Sequence, residues 1–297
     1  MSAQPGKICF ADLARSLPPA ELRAWVDGLT PEQVEAHRYD WDGFWSRPEQ
    51  RIPAGDWQTW LVLAGRGFGK TRIGAEAVRR WARSFRFVNL VAPTVDDVRD
   101  VMVEGESGIL AICPKHERPQ YRSSKRRLEW PNGARSLLFS AEEPERLRGK
   151  QHEKLWCDEV AAWRYTEAWD QAMMGLRLGA NPQAVVTTTP RPIPLIKELM
   201  ADPNTHVTRG STYANRDNLA SKFFSQIIRK YEGTRLGRQE LNAELLDDNP
   251  GALWHRQNID AHRVSVAPEL TRIVVGVDPA VTSSEDSAET GIIACGV

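Results

Sequence analysis

The stretch Ala64-Gly65-Arg66-Gly67-Phe68-Gly69-Lys70-Thr71 is rich in glycine and closes on Lys and Thr. Glycines let a turn aim successive backbone N–H groups at phosphate oxygens, and a helix starting there adds the positive end of its dipole. In such a loop Gly65, Arg66, Gly67, Phe68 and Gly69 form the cradle, Lys70 reaches the outer phosphates, and the Thr71 hydroxyl holds Mg2+. The strict pattern G-x-x-x-x-G-K-[ST] has Gly where this chain has Ala64, a residue small enough for the place. A second cluster, Asp158-Glu159, closes the run Lys154-Leu155-Trp156-Cys157. An Asp at a strand end can hold Mg2+, and a Glu just beyond it can take a proton from an attacking water. A third, Val185-Val186-Thr187-Thr188-Thr189-Pro190, ends a strand in three hydroxyls, with Thr188 at its middle. A hydroxyl there could sense a terminal phosphate, although three Thr also suit a plain strand.

Charge developing on a transferred phosphoryl group favours a nearby guanidinium. Arg66 lies inside the loop, and Arg146 and Arg148 precede the Asp158 strand; the commoner fate of such arginines is a surface ion pair. Gln50, in Arg47-Pro48-Glu49-Gln50, has the donor and acceptor needed to read an adenine edge. Residues 115–135 hold seven Lys or Arg against two Glu, with Tyr121 and Trp130 interleaved. That stretch suits either a DNA-facing hairpin or a solvated one, and the solvated reading is preferred.

The elements that must position these groups follow from patterning. Thr59–Ala64 is a short apolar run, as for a strand buried on both faces, and 70–83 carries Ile73, Ala77 and Trp81 at helical spacing. Strands are expected at 85–92, 126–130, 135–140, 154–158, 183–189 and 206–208. Helices are expected near 94–104, 166–177, 192–201 and 219–246. Pro131-Asn132-Gly133 marks a hairpin, and Thr30-Pro31-Glu32-Gln33 a capping box within a helical stretch over 11–40. Residues 41–55 read as a loop. Strands alternating with helices give an α/β fold with a mainly parallel sheet. With the phosphate loop and the Asp-Glu pair, the fold class is a P-loop NTPase sheet flanked by helices, RecA-like, of the type with an additional strand and a catalytic glutamate.

Composition limits the rest. Lys plus Arg and Asp plus Glu number 39 each in 297 residues, which excludes coating of nucleic acid by bulk charge. Eleven Trp exclude a disordered chain, and no apolar run is long enough to span a bilayer, so no membrane partner is expected. Cys9, Cys113, Cys157 and Cys295 show no Cys-x-x-Cys spacing; they read as reduced thiols in a cytoplasm. Asn249-Pro250-Gly251 introduces a linker. After it, Arg272–Val277 and Gly291–Val297 read as two strands of a second domain whose remainder is absent.

Taken in order, these motifs resemble those of the large terminase subunit of tailed phages and gene-transfer agents. The resemblance runs through Arg47–Gln50, Gly65–Thr71, Trp130–Ala134, Leu147-Arg148-Gly149, Trp156–Glu159, Thr187–Pro192, Thr234–Leu241 and Pro250–Trp254. It implies an ATP-hydrolysing motor that translocates double-stranded DNA into a procapsid, in the cytoplasm of a bacterial host. The implied partners are the portal protein, the small terminase subunit and further copies of the chain in a ring. The cofactor set is ATP and Mg2+. By the same resemblance Lys70 and Thr71 bind nucleotide and metal, Asp158 supports the metal and Glu159 activates water. Thr187–Thr189 form a coupling motif, and Arg66 or Arg148 is the arginine finger, with Arg148 supplied to a neighbouring subunit.

The implied organisation is an ATPase domain over 1–205, a helical lid or linker over 206–270, and an incomplete ribonuclease-H-like nuclease domain over 271–297. Asp278 is its first metal ligand; Asp286 and Glu289 receive no role, and DNA cleavage by this chain is not expected. Two other readings stay open on the residues: a RecA-like helicase or repair translocase, and a nucleotide-binding scaffold without turnover.

Overall fold

The computed structural model describes residue 10, residues 16–246, residue 262, and residues 269–278 and 291–296. The chain divides into two units, Met1–Leu246 and Asp247–Val297.

The first unit is built on an eight-stranded sheet. Its strands are β1 (Thr59–Ala64), β2 (Val88–Ala92), β3 (Gln120–Arg122), β4 (Arg127–Glu129), β5 (Arg135–Ser140), β6 (Lys154–Asp158), β7 (Gln183–Thr188) and β8 (Thr205–Gly210). Their spatial order is β3-β4-β5-β2-β6-β7-β1-β8. From β5 to β8 every pairing is parallel; β3, β4 and β5 pair antiparallel at one edge. Every residue of β1, β2, β6 and β7 is buried, which is why apolar residues dominate their middles.

The helices are α1 (Pro19–Asp27), α2 (Pro31–Arg38), α3 (Lys70–Ala82), α4 (Ile109–Ile112), α5 (Glu167–Gly175), α6 (Pro194–Ala201), α7 (Ser221–Tyr231) and α8 (Arg235–Glu240). The two-residue period of a strand splits the core between the sheet faces. Trp60, Val62 and Ala64 of β1 join Ile73 and Val78 of α3 and Trp156 of β6 on one side. Leu61 and Leu63 join Trp169 of α5 and Ile196 of α6 on the other. Gly74 lets α3 lie close to the sheet, because a Cβ there would overlap the Trp156 indole.

Several expectations are met with small differences. The capping box forms: Thr30 Oγ1 accepts from the Gln33 amide at 3.3 Å, and the Thr30 amide donates to Gln33 Oε1 at 2.8 Å. The helical stretch 11–40 is interrupted at Gly28–Thr30, between α1 and α2. Residues 41–55 hold structure where a loop was expected. A π-helical turn spans Trp41–Trp45, started by Asp40 accepting from the Gly43 amide, and a 3-10 turn spans Pro48–Gln50. In the hairpin the positive φ angle belongs to Gly133 alone, at 87°.

The basic stretch around β3–β5 keeps its excess of cations, with some of its arginines paired. Arg122 and Arg127 pair with Glu129, Arg126 pairs with Glu143, and Arg118 donates to the Cys113 carbonyl. Strand β8 straddles the expected boundary at 205/206 and pairs with β1 along its whole length.

In the second unit β9 (Ile273–Asp278) and β10 (Gly291–Gly296) form an antiparallel pair. Asp278 ends β9, and its side chain lies outside the described residues, as do Asp286, Glu289 and most of 250–268. Cys113 and Cys157 are buried free thiols, with Cys157 held well above the usual range by burial. Among the described residues, no helix is long and apolar enough to cross a membrane.

Candidate nucleotide-binding site

Strand β1 ends at Ala64 and α3 begins at Lys70, so the loop Gly65–Gly69 joins a buried strand to a helix N-terminus. Gly67 and Gly69 have φ of 79° and 104°, a region that strains residues with side chains. At Gly65 a Cβ would stand 2.5 Å from the Glu240 carbonyl oxygen. Ala64, where the strict pattern has Gly, is fully buried and packs its methyl group into the α3-side core.

The loop is held from outside through its own polar backbone. The Gly65 amide donates to the Gly210 carbonyl at 2.9 Å, and the Arg66 amide to the Glu240 carbonyl at 2.8 Å. Thr212 Oγ1 donates to the Arg66 carbonyl at 2.7 Å, and Asn215 Nδ2 to the Gly67 carbonyl at 2.6 Å. The Phe68 carbonyl accepts from both Arg47 (2.9 Å) and Gln50 Nε2 (3.0 Å). With these carbonyls engaged by the surrounding protein, the first-turn amides of α3, which have no intrahelical acceptor, open at the cleft.

The acids stand on β6, which is the next strand but one from β1; β7 lies between them. That interposed strand carries the link. Thr187 Oγ1 donates to Asp158 Oδ1 at 2.5 Å and accepts from Trp156 Nε1 at 2.8 Å. Glu159 has φ 45°, and its amide donates to the Thr187 carbonyl at 2.6 Å, which turns its side chain toward the loop. Glu159 Oε2 accepts from the Thr189 amide at 3.2 Å, and Oε1 lies 3.4 Å from Lys70 Nζ. Lys70 Nζ also donates to Thr189 Oγ1 (3.1 Å) and to the Ala64 carbonyl (3.0 Å).

The Asp158 carboxyl is pushed up to about 7, chiefly by burial and further by the neighbouring Glu159 carboxylate, against the Thr187 hydroxyl that favours its charged form. A buried carboxylate so disfavoured, with the Thr71 hydroxyl lining the same cleft, is a hard oxygen donor set that suits Mg2+. The cleft measures about 1260 Å³ and is lined by Lys70, Thr71, Asp158, Glu159 and Thr189, with Trp41 and Arg72 among its other walls.

The remaining sequence-read residues fall in varied places. Arg66 lines the cleft with its side chain 74% exposed, 3.6 Å from Glu240. Arg148 is 71% exposed, pairs with Glu145, and lines a separate hollow with Lys150 and Arg177 rather than the cleft. Thr188 is fully buried; its hydroxyl accepts from the Ala161 amide and donates to the Thr189 carbonyl, so the hydroxyl at the cleft is that of Thr189.

Gln50, read from sequence as an adenine reader, lines the cleft and also braces the loop: Oε1 accepts from the Arg47 amide while Nε2 donates to the Phe68 carbonyl. The Phe68 ring is buried under the Arg47 guanidinium, 4.8 Å from the ring centre. Arg47, Thr212, Asn215 and Glu240 were not foreseen. Arg47 shares a tetrapeptide with Gln50, whereas the other three had no local signal.

Residues 61–261 match the family model described as terminase large subunit, T4likevirus-type, N-terminal. No curated protein matches the chain in sequence. Among solved structures, the large terminase ATPase domain of Thermus phage P74-26 is similar at TM-score 0.55 and 16% identity, covering 73% of this chain and 98% of that one. The large terminase of another thermophilic bacteriophage is similar at TM-score 0.54 and 13% identity, covering 73% of this chain and 53% of that one. The complex of that second terminase with ADP gives TM-score 0.53 and 13% identity, over 75% of this chain and 56% of that one. This chain therefore spans little more than half the length of the second terminase. With two thirds of its length matched by the family model and its sheet shared with these ATPase structures, the chain belongs to the terminase large subunit family.

Proposed function

We propose that this chain is the ATP-hydrolysing motor of phage-type DNA packaging, driving double-stranded DNA into a procapsid in the cytoplasm of a bacterial host. The observation that carries the reading is the triangle of Lys70, Thr189 and Glu159 at the mouth of the phosphate loop. The second thermophilic-phage terminase was crystallised with ADP and with ATP-gamma-S, which supports nucleotide binding here.

The first-turn amides of α3 and the Lys70 ammonium bind the β- and γ-phosphates of ATP. Thr71 and Asp158 hold Mg2+, which when bound neutralises charge on the phosphate oxygens. Glu159, fixed by the Thr189 amide, accepts the proton of the water that attacks the γ-phosphorus. Lys70 binds Glu159 and Thr189 at once, so moving its ammonium onto a phosphate frees the base and leaves the Thr189 hydroxyl beside the terminal phosphate.

Arg66 is the guanidinium at hand within the chain. Arg148, exposed and off the cleft, suits donation to a neighbouring copy in a ring. The portal and the small terminase subunit are the proposed partners. Residues 206–270 act as lid and linker, and 271–297 begin a ribonuclease-H-like nuclease domain with Asp278 as a metal ligand. A two-metal nuclease gathers several carboxylates, so no cleavage step is derived for this chain.

The test is DNA-stimulated ATP hydrolysis together with nuclease protection of DNA by portal-bearing procapsids. The wild-type chain hydrolyses and protects, and Lys70→Ala does neither. A wild-type chain without turnover in the presence of DNA and procapsids overturns the proposal.

A further inference from the structure

Lys70 reaches toward Glu159 and Thr189, which marks the γ-phosphate side of the cleft. The carboxyl groups of Asp158 and Glu159 line that side. A terminal phosphate placed beside Glu159 adds negative charge next to negative charge, and a further cation there offsets the repulsion.

Most arginines along the cleft are already engaged. Arg47 is bonded to the Phe68 carbonyl and to Asn215, and Arg72 donates to Glu76 at 2.9 Å. Arg66 lies 3.6 Å from Glu240, and the Arg38 guanidinium covers the Tyr39 ring at 5.6 Å. Arg191 differs from all of these. It lines the same cleft and is exposed, and among the described residues its guanidinium has no hydrogen-bond, ion-pair or ring partner.

The backbone that carries Arg191 is preset. The segment reads Thr189-Pro190-Arg191-Pro192, so Thr189 and Arg191 each precede a proline. A proline fixes its own φ and keeps the residue before it extended. Pro190 is buried, the Ile193 amide donates to the Arg191 carbonyl at 2.8 Å, and Pro194 begins α6. At the near end the Thr189 amide donates to Glu159 Oε2 at 3.2 Å. Arg191 therefore leaves a stiff turn two residues beyond the group that positions Glu159, while its own side chain is committed to nothing.

We infer that Arg191 grips the γ-phosphate of bound ATP and so distinguishes ATP from ADP, an inference that rests on the nucleotide reading of the cleft. A guanidinium offers parallel N–H donors that match two phosphate oxygens at once. Turning to the phosphate breaks no bond within the protein, and the stiff turn limits the entropy lost. A contact made with the terminal phosphate alone adds to the affinity for ATP and not to that for ADP.

The test is calorimetric titration of MgATP-γ-S and of MgADP into wild type, Arg191→Lys and Arg191→Ala. Arg191→Ala weakens MgATP-γ-S by about 10- to 150-fold, the range for hydrogen bonds to a charged group, and leaves MgADP unchanged. Arg191→Lys keeps the charge without the fork and recovers part of the loss. Unchanged MgADP binding also shows that the variants are folded. The inference is overturned if Arg191→Ala binds MgATP-γ-S as wild type does, or if both nucleotides weaken alike, which marks Arg191 as a support of the cleft rather than a γ-phosphate contact. If wild type binds neither nucleotide, the phosphate-loop reading itself fails and this inference falls with it.

Discussion

Replacing Arg47 by Ala tests whether the phosphate loop is held in shape before any ligand arrives. The side chain is 9% exposed and makes three polar bonds: to the Phe68 carbonyl at 2.9 Å, Asn215 Oδ1 at 2.8 Å and Glu49 at 2.9 Å. It also covers the Phe68 ring. A hydrogen bond from a charged group contributes about 1.5–3 kcal/mol. The Phe68 and Asn215 acceptors each keep a second donor, Gln50 for Phe68 and Asn218 for Asn215, so neither is stranded. The expected loss is then about 2–4 kcal/mol, including lost contact with the ring.

Binding should weaken as well. If only about 1.4 kcal/mol of that loss falls on ordering the loop, MgATP binds about tenfold more weakly. Chemical denaturation gives the first quantity and calorimetric titration the second. A double-mutant cycle with Asn215→Ala should show coupling of about 0.5–3 kcal/mol, because the two side chains touch. If Arg47→Ala stays within about 0.5 kcal/mol of wild type, the value typical of an ordinary surface change, and binds nucleotide equally well, the bracing argument is wrong.

Four further outcomes follow from the geometry. Thr189→Val removes the hydroxyl that Lys70 contacts and should lower turnover about 10- to 100-fold with little change in stability. Thr188→Val strands the buried Ala161 amide and should instead cost about 1–3 kcal/mol of stability. His152 is fully buried, and burial holds it neutral with its pKa lowered to about 4. The unfolded chain therefore binds more protons than the folded one between about 6.5 and 4. Stability is full above that window and falls through it, by up to about 3 kcal/mol, and His152→Gln should flatten the slope of denaturation midpoint against pH. Gly74→Val drives branched carbons into the Trp156 indole and should lower stability by about 1–3 kcal/mol or more, read from the thermal midpoint.

Much of the site was legible because its signals are local. The apolar run of β1, the glycines, and Lys70-Thr71 follow one another in sequence, as do β6 and its two acids. The choice among the three threonines was also within reach. In a strand, Thr187 and Thr189 share a face and Thr188 takes the other, so the alternation itself separates the Thr188 hydroxyl from the two that meet Asp158 and Lys70.

Gln50 is a different case. Residue type shows that an amide has a donor and an acceptor, and only the fold shows that both are already used on Phe68 and Arg47. The interposition of β7 between β1 and β6 is a matter of strand order, which no local pattern encodes. Thr212, Asn215 and Glu240 reach the loop across more than a hundred residues of chain, so they carry no nearby mark.

Magnesium-dependent ATP turnover by Glu159→Gln, measured beside its MgATP affinity, bears most directly on the central assignment. The change keeps the side chain's size and removes its capacity to take a proton. Turnover should fall by about 10²–10⁴-fold while MgATP still binds. Glu159→Gln that turns over ATP at the wild-type rate, with binding intact, contradicts the assignment of this carboxylate as the base.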